Sequence, residues 1–220
     1  MPESRPTHYL RLFPLDSTVL FPTIELPLMV FEPRYLQLMR ECTEANEPFG
    51  VQLLRRGREV GDVDVTPYDV GTTAMVRQVD RVEGGRLRVQ AFGQRRYRVV
   101  DYEHDRPYLA ARVEYLPDEA GNLDGGVERR VRELAHRYMQ GVVALQGGYV
   151  RDIPLPHDAH TLSWVVAQLF QGNPLSQQRL LEAPTTAVRL QQELGMLEAA
   201  VDEVHRQVQA KHPEQRFSPN

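Results

Sequence analysis

Two residue types are nearly missing from this chain of 220 residues, and each absence excludes a group of functions. The sequence has one cysteine, Cys42, which excludes an intramolecular disulfide and a metal site made only of cysteines. Of its 26 basic residues all but one are arginine, and the lone lysine is Lys211. Chemistry that depends on lysine, such as a phosphate-loop lysine, a Schiff base or a serine–lysine dyad, is therefore nearly excluded.

Long apolar runs are also missing. The longest fall far short of the roughly 20 residues that a membrane-spanning helix needs, and the amino terminus lacks the apolar core of a secretory signal. The net charge of -4 gives no overall attraction to nucleic acid or to an anionic membrane, although a local patch would still be able to bind either. Together these absences predict a soluble cytoplasmic protein with no membrane partner.

The pattern of the sequence changes near residue 118. Before it, short β-rich segments alternate with prolines and glycines; after it, apolar residues recur at helical spacing. Prolines remove backbone donors, so the strands between them must be short, bent or at an edge, which suits a small irregular barrel. The early prolines are Pro14, Pro22, Pro27 and Pro33. We therefore predict an α+β fold, with a strand-built subdomain over 1–117 and a helical subdomain over 118–220.

Five helices are expected from apolar periodicity and from residues typical of helix ends. They are predicted over about 33–45, along Val127–Leu145 up to Gly147, after Asp158, from Asn173 to Pro184, and over about 185–210. The last helix has a four-three alternation of apolar residues over fewer heptads than a firm coiled coil requires. Packing within the chain's own bundle is the favoured interpretation, and a homodimer through this helix is the alternative.

Three stretches, taken in order, resemble the amino-terminal substrate-binding domain of Lon proteases. The first comprises Leu12-Phe13-Pro14-Leu15, Val19-Leu20-Phe21-Pro22, Leu26-Pro27-Leu28 and Phe31-Glu32-Pro33-Arg34-Tyr35. The second comprises Phe49-Gly50-Val51, then Gly57, Glu59 and Gly61, then Val70-Gly71-Thr72. The third comprises Gly93-Gln94-Arg95-Arg96-Tyr97-Arg98-Val99, Pro107-Tyr108 and Ala110.

This resemblance implies a PUA-like mixed β-barrel subdomain followed by a carboxyl-terminal helical bundle. Full-length members of the family continue into an ATPase with a phosphate-binding loop and into a serine–lysine proteolytic domain. The 220 residues contain no G-x-x-x-x-G-K-[ST] pattern and no lysine placed for a dyad. We therefore expect a non-catalytic protein, with no catalytic residues, no cofactor and no metal.

The run Phe31-Glu32-Pro33-Arg34-Tyr35 is the candidate substrate-binding site. Because it comes at the start of a predicted helix, free N–H groups and the helix dipole would favour an acidic or carbonyl partner there. The structural interpretation, which we weight more heavily, is that Pro33 starts the helix, Phe31 and Tyr35 pack, and Glu32 pairs with an arginine.

An arginine-rich segment over 81–98 is the candidate for nucleic-acid binding. Its arginines alternate with apolar residues and are interleaved with Phe92 and Tyr97, and PUA-like barrels include RNA binders. The candidate residues are Arg86, Arg88, Arg95, Arg96 and Arg98. A solvated strand face is the favoured alternative, since the rest of the chain is acidic.

Two further groups receive structural interpretations. His157 and His160 are spaced to share a metal on a helix, but no third ligand is apparent nearby, and Asp158 between them suits a helix cap. Cys42 lies on a packed helical face, which predicts a buried thiol.

The resemblance and the missing catalytic parts favour one function. We expect the chain to bind unfolded or flexible polypeptide segments of client proteins, with a protease acting in trans as a further partner that the resemblance leaves open. The alternative is an RNA-binding module that uses the 81–98 segment, for which nucleic acid is a less favoured partner.

Overall fold

The structure, a computed structural model, describes residues 6–56 and 65–211. The chain forms two compact units. Unit 1 consists of the described residues within Met1–Asp118 together with Phe170–Glu182, and unit 2 consists of those within Glu119–Leu169 and Ala183–Asn220. The segment Phe170–Glu182 thus belongs to unit 1 although it follows residue 118.

Unit 1 is built on a sheet of seven strands. They are β1 (His8–Leu15), β2 (Glu25–Val30), β3 (Phe49–Arg56), β4 (Thr66–Pro67), β5 (Val70–Arg81), β6 (Leu87–Glu103) and β7 (Ala110–Tyr115). Their order is β1-β7-β6-β5-β3-β4, and β2 pairs with β6. Because β1 also pairs in parallel with β3, five strands close into a ring, which makes the sheet a mixed β-barrel.

A helix fills one end of the apolar interior of unit 1. Helix α1 (Pro33–Ala45) has the predicted bounds: Pro33 opens it, and Asn46 ends it in the left-handed conformation. Its buried residues Tyr35, Leu38 and Met39 join the main cluster with Phe13 and Phe49. One face of β1 therefore packs toward α1 through Phe13, while Leu10 and Leu12 on its other face enter a second apolar cluster.

Two glycines leave room for the side chain of Tyr97, which lies in a second, smaller apolar cluster of unit 1. Tyr97 is fully buried there with Leu12 and Val113. A Cβ atom at Gly50 or at Gly71 would collide with its hydroxyl group. Between Gly93 and Arg96, β6 has one residue more than the paired stretch of β5, so the register shifts there and β6 carries a β-bulge.

The last element of unit 1 comes from far along the chain. Helix α4 (Pro174–Glu182) buries Leu180 and Leu181, and the side-chain amide of Gln178 donates to the Val70 carbonyl of β5 at 3.0 Å. The buried Arg96 of β6 donates to the Leu181 carbonyl at 2.9 Å. These two hydrogen bonds attach α4 to the sheet.

Unit 2 is helical. Its elements are α2 (Gly125–Leu145), α3 (Ala159–Gln168) and α5 (Thr186–Lys211). The Asp124 and Asp158 side chains accept hydrogen bonds from backbone N–H groups at the starts of α2 and α3, so the predicted cap at Asp158 is confirmed. Leu190, Leu197 and Val201 of α5 are buried within the unit, and α5 packs along α2. The homodimer through α5 stays a prediction.

A buried arginine lies at the centre of unit 2. The guanidinium carbon of Arg189 lies 3.2 Å from the centroid of the Trp164 ring, and its Nε donates to Ser163 Oγ at 2.9 Å. Glu193, one turn further along α5, is fully buried. Burial raises the pKa of the Glu193 carboxyl well above its ordinary value, and the nearby charge of Arg189 offsets part of that effect.

Within residues 6–56 and 65–211, no helix combines the length and the apolar character that crossing a membrane would require.

Candidate functional site

The corner between β2 and α1 holds the predicted substrate-binding residues, and three of them are engaged with one another. Arg34 forms an ion pair with Glu32 at 2.9 Å, and its guanidinium carbon lies 4.6 Å from the centroid of the Tyr35 ring. Tyr35 is buried and stacks on Phe13, with ring centroids 4.3 Å apart. The structural interpretation therefore accounts for Glu32, Arg34 and Tyr35.

Phe31 requires a correction, because 49 % of it is exposed and the prediction that it packs is wrong. It continues an alternation along β2, in which Leu26 and Val30 point into the core while Pro27 and Met29 point to solvent. Met29 is 46 % exposed. We name the outward-facing residues Pro27, Met29 and Phe31 the β2 surface. This surface exposes apolar side chains to solvent.

A pocket of about 400 Å³ lies beside the start of α1, entirely within unit 1. We name it the α1 pocket. Its lining residues are Pro14, Arg34, Tyr35, Val65, His104, Arg106, Pro107, Tyr108 and Leu109. Tyrosine, proline and leucine supply apolar walls, while two arginines and a histidine supply hydrogen-bond donors.

The wall of the α1 pocket is held in place by a partly buried hydrogen-bond network behind it. The Tyr108 hydroxyl donates a short hydrogen bond to Glu41 of α1, and Arg11 of β1 donates to Glu41 at 3.2 Å and to Glu47 at 2.8 Å. The hydrogen bonds from Tyr108, Gln37 and Arg11 lower the pKa of Glu41 to about 2. Burial, together with the hydrogen bond to Glu41, raises the pKa of Tyr108 to about 12. Glu41 is thus ionised at neutral pH and fixes the Tyr108 ring.

The arginine-rich segment does not form one continuous exposed row. Arg86, Arg88, Arg95 and Arg98 are exposed. In the sheet register Arg88 lies opposite Asp80, Arg98 lies opposite Glu114, and the Arg95 guanidinium stacks over Tyr115 at 4.3 Å. Carboxylates beside two of the four arginines reduce the positive potential that a phosphate backbone would need.

Arg96 requires a correction, because it is buried rather than part of an exposed stripe. Only 2 % of it is accessible. Its guanidinium forms an ion pair with Asp118 at 2.7 Å and donates to the carbonyls of Pro117 and Leu181, both at 2.9 Å. Arg96 and Arg98 are alternate residues of β6 and share a face, and Arg96 is buried because residues 117–118 and α4 cover it there.

The two histidines near Asp158 point in different directions. His160 accepts a hydrogen bond from Trp164 Nε1 at 3.2 Å and contacts Thr186 Oγ1 at 3.2 Å, while His157 is exposed. Across the described residues, no group of three or more His, Cys, Asp or Glu side chains is placed to hold a metal ion. Cys42 is a buried free thiol, as predicted, and burial raises its pKa to about 11.

Unit 2 also contains a cleft, which is wider and polar. It measures about 860 Å³ and lies between α2 and the segment 152–157. Arg132 on its wall is already engaged, since it donates to Glu128 at 3.0 Å and to the Pro156 carbonyl at 2.5 Å. His136 accepts from the Ile153 N–H at 3.3 Å. These contacts join the wall residues to each other, so the cleft presents few unengaged polar groups.

Sequence reasoning missed the β2 surface and most of the α1 pocket. The alternation in Leu26-Pro27-Leu28-Met29-Val30 was a usable signal, since it leaves Met29 on the wet face. The pocket brings together β1, the start of α1 and the segment before β7, which are distant in sequence. Only the fold shows that they meet.

The architecture defines an α+β class of protein, a closed mixed barrel with a helix against it, together with a helical unit. A family model described as the ATP-dependent protease La (LON) substrate-binding domain matches residues 9–199. The chain belongs to this family.

Known relatives agree with that assignment. The chain is 28% identical over 200 residues to Lon protease 2 of Herpetosiphon aurantiacus, covering 88% of this chain and 24% of that protein. It is 25% identical over 193 residues to Lon protease of Anaeromyxobacter dehalogenans, covering 86% and 23%. The chain thus spans about a quarter of the length of the curated relatives it matches.

Solved structures support the same fold. A Lon N-terminal domain protein from Xanthomonas campestris is 27% identical with a TM-score of 0.64, covering 86% of this chain and 98% of that one. The N-terminal domain of Mycobacterium avium complex Lon protease has a TM-score of 0.62 at 13% identity, covering 89% and 99%, and this likeness concerns the fold alone.

Proposed function

We propose that this protein binds apolar, unfolded or flexible polypeptide segments through the β2 surface. The observation that carries the proposal is the pair of large apolar side chains, Met29 and Phe31, each nearly half exposed on a strand whose opposite face is core. Methionine and phenylalanine adapt to varied apolar partners, and an aromatic anchor concentrates binding energy. A substrate-binding domain family is consistent with this use.

The β2 surface also indicates how the protein would handle a bound client. Holding a client segment requires exposed apolar area and a rigid support, and the barrel supplies both. We propose that the protein acts by retaining clients, without catalysis of its own, and that a protease acting in trans is one recipient of them.

The test begins with purified protein and an array of overlapping peptides, followed by fluorescence anisotropy on the strongest binders. The double variant Met29→Ser, Phe31→Ser should bind those peptides at least about tenfold more weakly, because an exposed apolar anchor is lost while the core is untouched. An array without binders would overturn the proposal.

A matched control is available in the same unit. Val100 is 53 % exposed on β6 and lies outside the β2 surface. Val100→Ser removes a similar exposed apolar group and should leave peptide binding unchanged. Equal losses in the control and in the double variant would show that the effect is not specific to the β2 surface.

The RNA-binding alternative uses the four exposed arginines, Arg86, Arg88, Arg95 and Arg98. Binding to labelled single-stranded RNA that falls steeply with salt, and that is lost in Arg86→Gln, Arg88→Gln, would favour it over the peptide-binding proposal. The carboxylates opposite Arg88 and Arg98 are the reason we rank it second.

A further inference from the structure

We infer that the α1 pocket binds the carboxylate at the end of a polypeptide chain, with the last side chain of that polypeptide against the apolar wall. This inference rests on the proposed function and adds to it the chemical group of the client that is recognised.

Separate parts of the sequence converge on the pocket. Pro14 comes from β1, Arg34 and Tyr35 from the first turn of α1, and Pro107 and Tyr108 from the segment before β7. All five belong to the stretches that resemble the Lon substrate-binding domain. Residues from three separate places in the chain thus line one cavity.

The charge inside the α1 pocket is positive. His104 and Arg106 are exposed, line the cavity and form no ion pair within the described part of the chain. The nearby carboxylates of Glu32 and Glu41 are each directed to another arginine, Arg34 and Arg11 respectively. Asp105, between His104 and Arg106 in sequence, is exposed and does not line the pocket. An incoming anion therefore meets a guanidinium without displacing an existing partner at Arg106.

The shape and rigidity of the pocket suit a small group with an apolar part. A volume of about 400 Å³ lies in the lower part of the range of ligand pockets. Tyr35 is fixed by its stacking on Phe13, and Tyr108 is fixed by its bond to Glu41. A preformed wall lowers the ordering cost of binding.

A chain terminus fits this arrangement better than an internal acidic side chain. A terminal carboxylate is attached to the same carbon as the last side chain, so both enter together and the polypeptide leaves in one direction. An internal aspartate or glutamate brings two flanking peptide groups, whose polar atoms would be pressed against apolar walls.

The test uses N-acetylphenylalanine and its neutral analogue N-acetylphenylalaninamide, titrated into the full chain by NMR. The carboxylate should bind at least about tenfold more tightly than the amide, because a charge-assisted hydrogen bond is present only in the first. Arg106→Gln should remove that difference. Arg40→Gln is the matched control, an exposed arginine on α1 outside the pocket lining, and should retain it.

A second arm compares one apolar peptide with a free and with an amidated carboxyl terminus. Equal binding of both peptide forms, together with equal binding of the two small probes, overturns the inference and leaves the proposed function in place. If no peptide binds in either form, the proposed function fails, and the probe pair decides alone whether the pocket holds a carboxylate. Identical results for Arg106→Gln and Arg40→Gln would also overturn it.

Discussion

Each of the two units buries one arginine completely, and the two are accommodated in different ways. In unit 1, Arg96 meets the carboxylate of Asp118 and two backbone carbonyls. In unit 2, Arg189 lies against the Trp164 ring, with the hydroxyls of Ser163 and Thr186 as acceptors at 2.9 and 3.3 Å. The charge of Arg96 is thus balanced by a carboxylate and by carbonyl dipoles. The charge of Arg189 is instead stabilised by the face of an aromatic ring and by hydroxyl groups.

The difference shows two uses of a buried charge. Arg96, on β6, donates to Asp118 at the end of the first segment of unit 1 and to the Leu181 carbonyl of α4. It therefore connects segments that are distant in sequence. Arg189 contacts α3 and its own helix, so it acts as part of the packing between neighbouring helices. Removing the first should therefore cost more than removing the second, since it leaves both a carboxylate and carbonyls without their donor.

Two natural reporters allow the units to be followed separately. The only cysteine, Cys42, is buried in unit 1, and the only tryptophan, Trp164, is buried in unit 2. The rate at which a thiol reagent labels Cys42 thus reports the opening of unit 1. In the folded unit the Cys42 thiol is shielded from solvent and its pKa is raised. Tryptophan fluorescence reports unit 2.

The largest expected effect is that of Arg96→Met. We expect a loss of about 3 kcal/mol in the stability of unit 1, because Asp118 and two carbonyls lose their donor. Cys42 labelling should then be about a hundredfold faster. Arg98→Met, two residues away and exposed, is the control and should change labelling little. Unchanged labelling in Arg96→Met would contradict the role of Arg96 as a connection.

A smaller loss, about 2 kcal/mol, is expected for Arg189→Met, because methionine keeps most of the packing volume but loses the contact with the ring and two hydrogen bonds. The measurement is urea unfolding followed by Trp164 fluorescence. Arg206→Met, on the exposed side of the same helix, should leave the midpoint unchanged. If Arg189→Met lost as much stability as Arg96→Met, a ring face and hydroxyl groups would stabilise a buried guanidinium as well as a carboxylate does.

The smallest effect is expected for Glu193→Gln at low pH. The folded-state pKa of Glu193 is raised above the ordinary value of 4.5, so the folded protein holds this proton more tightly than the unfolded chain does. That stabilising contribution is complete below pH 4.5 and is lost as the pH rises through the folded pKa. At pH 4.5 the substitution replaces one neutral group by another and should cost less than about 1 kcal/mol.

As the pH rises toward 8, the unsubstituted chain should lose stability relative to Glu193→Gln. Urea midpoints from Trp164 fluorescence at several pH values measure the difference between the two proteins. A difference that stays constant over this range would mean that Glu193 titrates normally, and that Arg189 compensates fully for its burial.

Local features were predictable from sequence, because they depend on neighbouring residues. The bounds of α1 follow from Pro33 and apolar spacing, and the start of α3 follows from Asp158. The burial of Arg96 was not predictable in this way. Alternation along β6 places Arg96 on the same outer face as Arg98, and it does not show that residues 117–118 and the later helix α4 cover Arg96.

Long-range features were not predictable in the same way. The attachment of α4 to the barrel depends on Gln178 reaching Val70 and on Arg96 reaching Leu181, contacts that local periodicity does not encode. The convergence of Pro14, Arg34 and Tyr108 on one pocket is likewise a property of the barrel. The expected packing of Tyr35 and the expected pairing of Glu32 with an arginine agree with the structure, whereas the expected packing of Phe31 is wrong and the exposed Met29 was overlooked.

The return of α4 to the barrel also constrains the order of events during synthesis. The ribosome produces β6 long before residues 174–182, so a nascent chain carries Arg96 without its Leu181 acceptor while α2 and α3 are being made. The buried guanidinium of Arg96 therefore obtains its last hydrogen-bond acceptor only after α4 has been synthesised. A fragment cut after residue 117 would remain in that unfinished condition permanently.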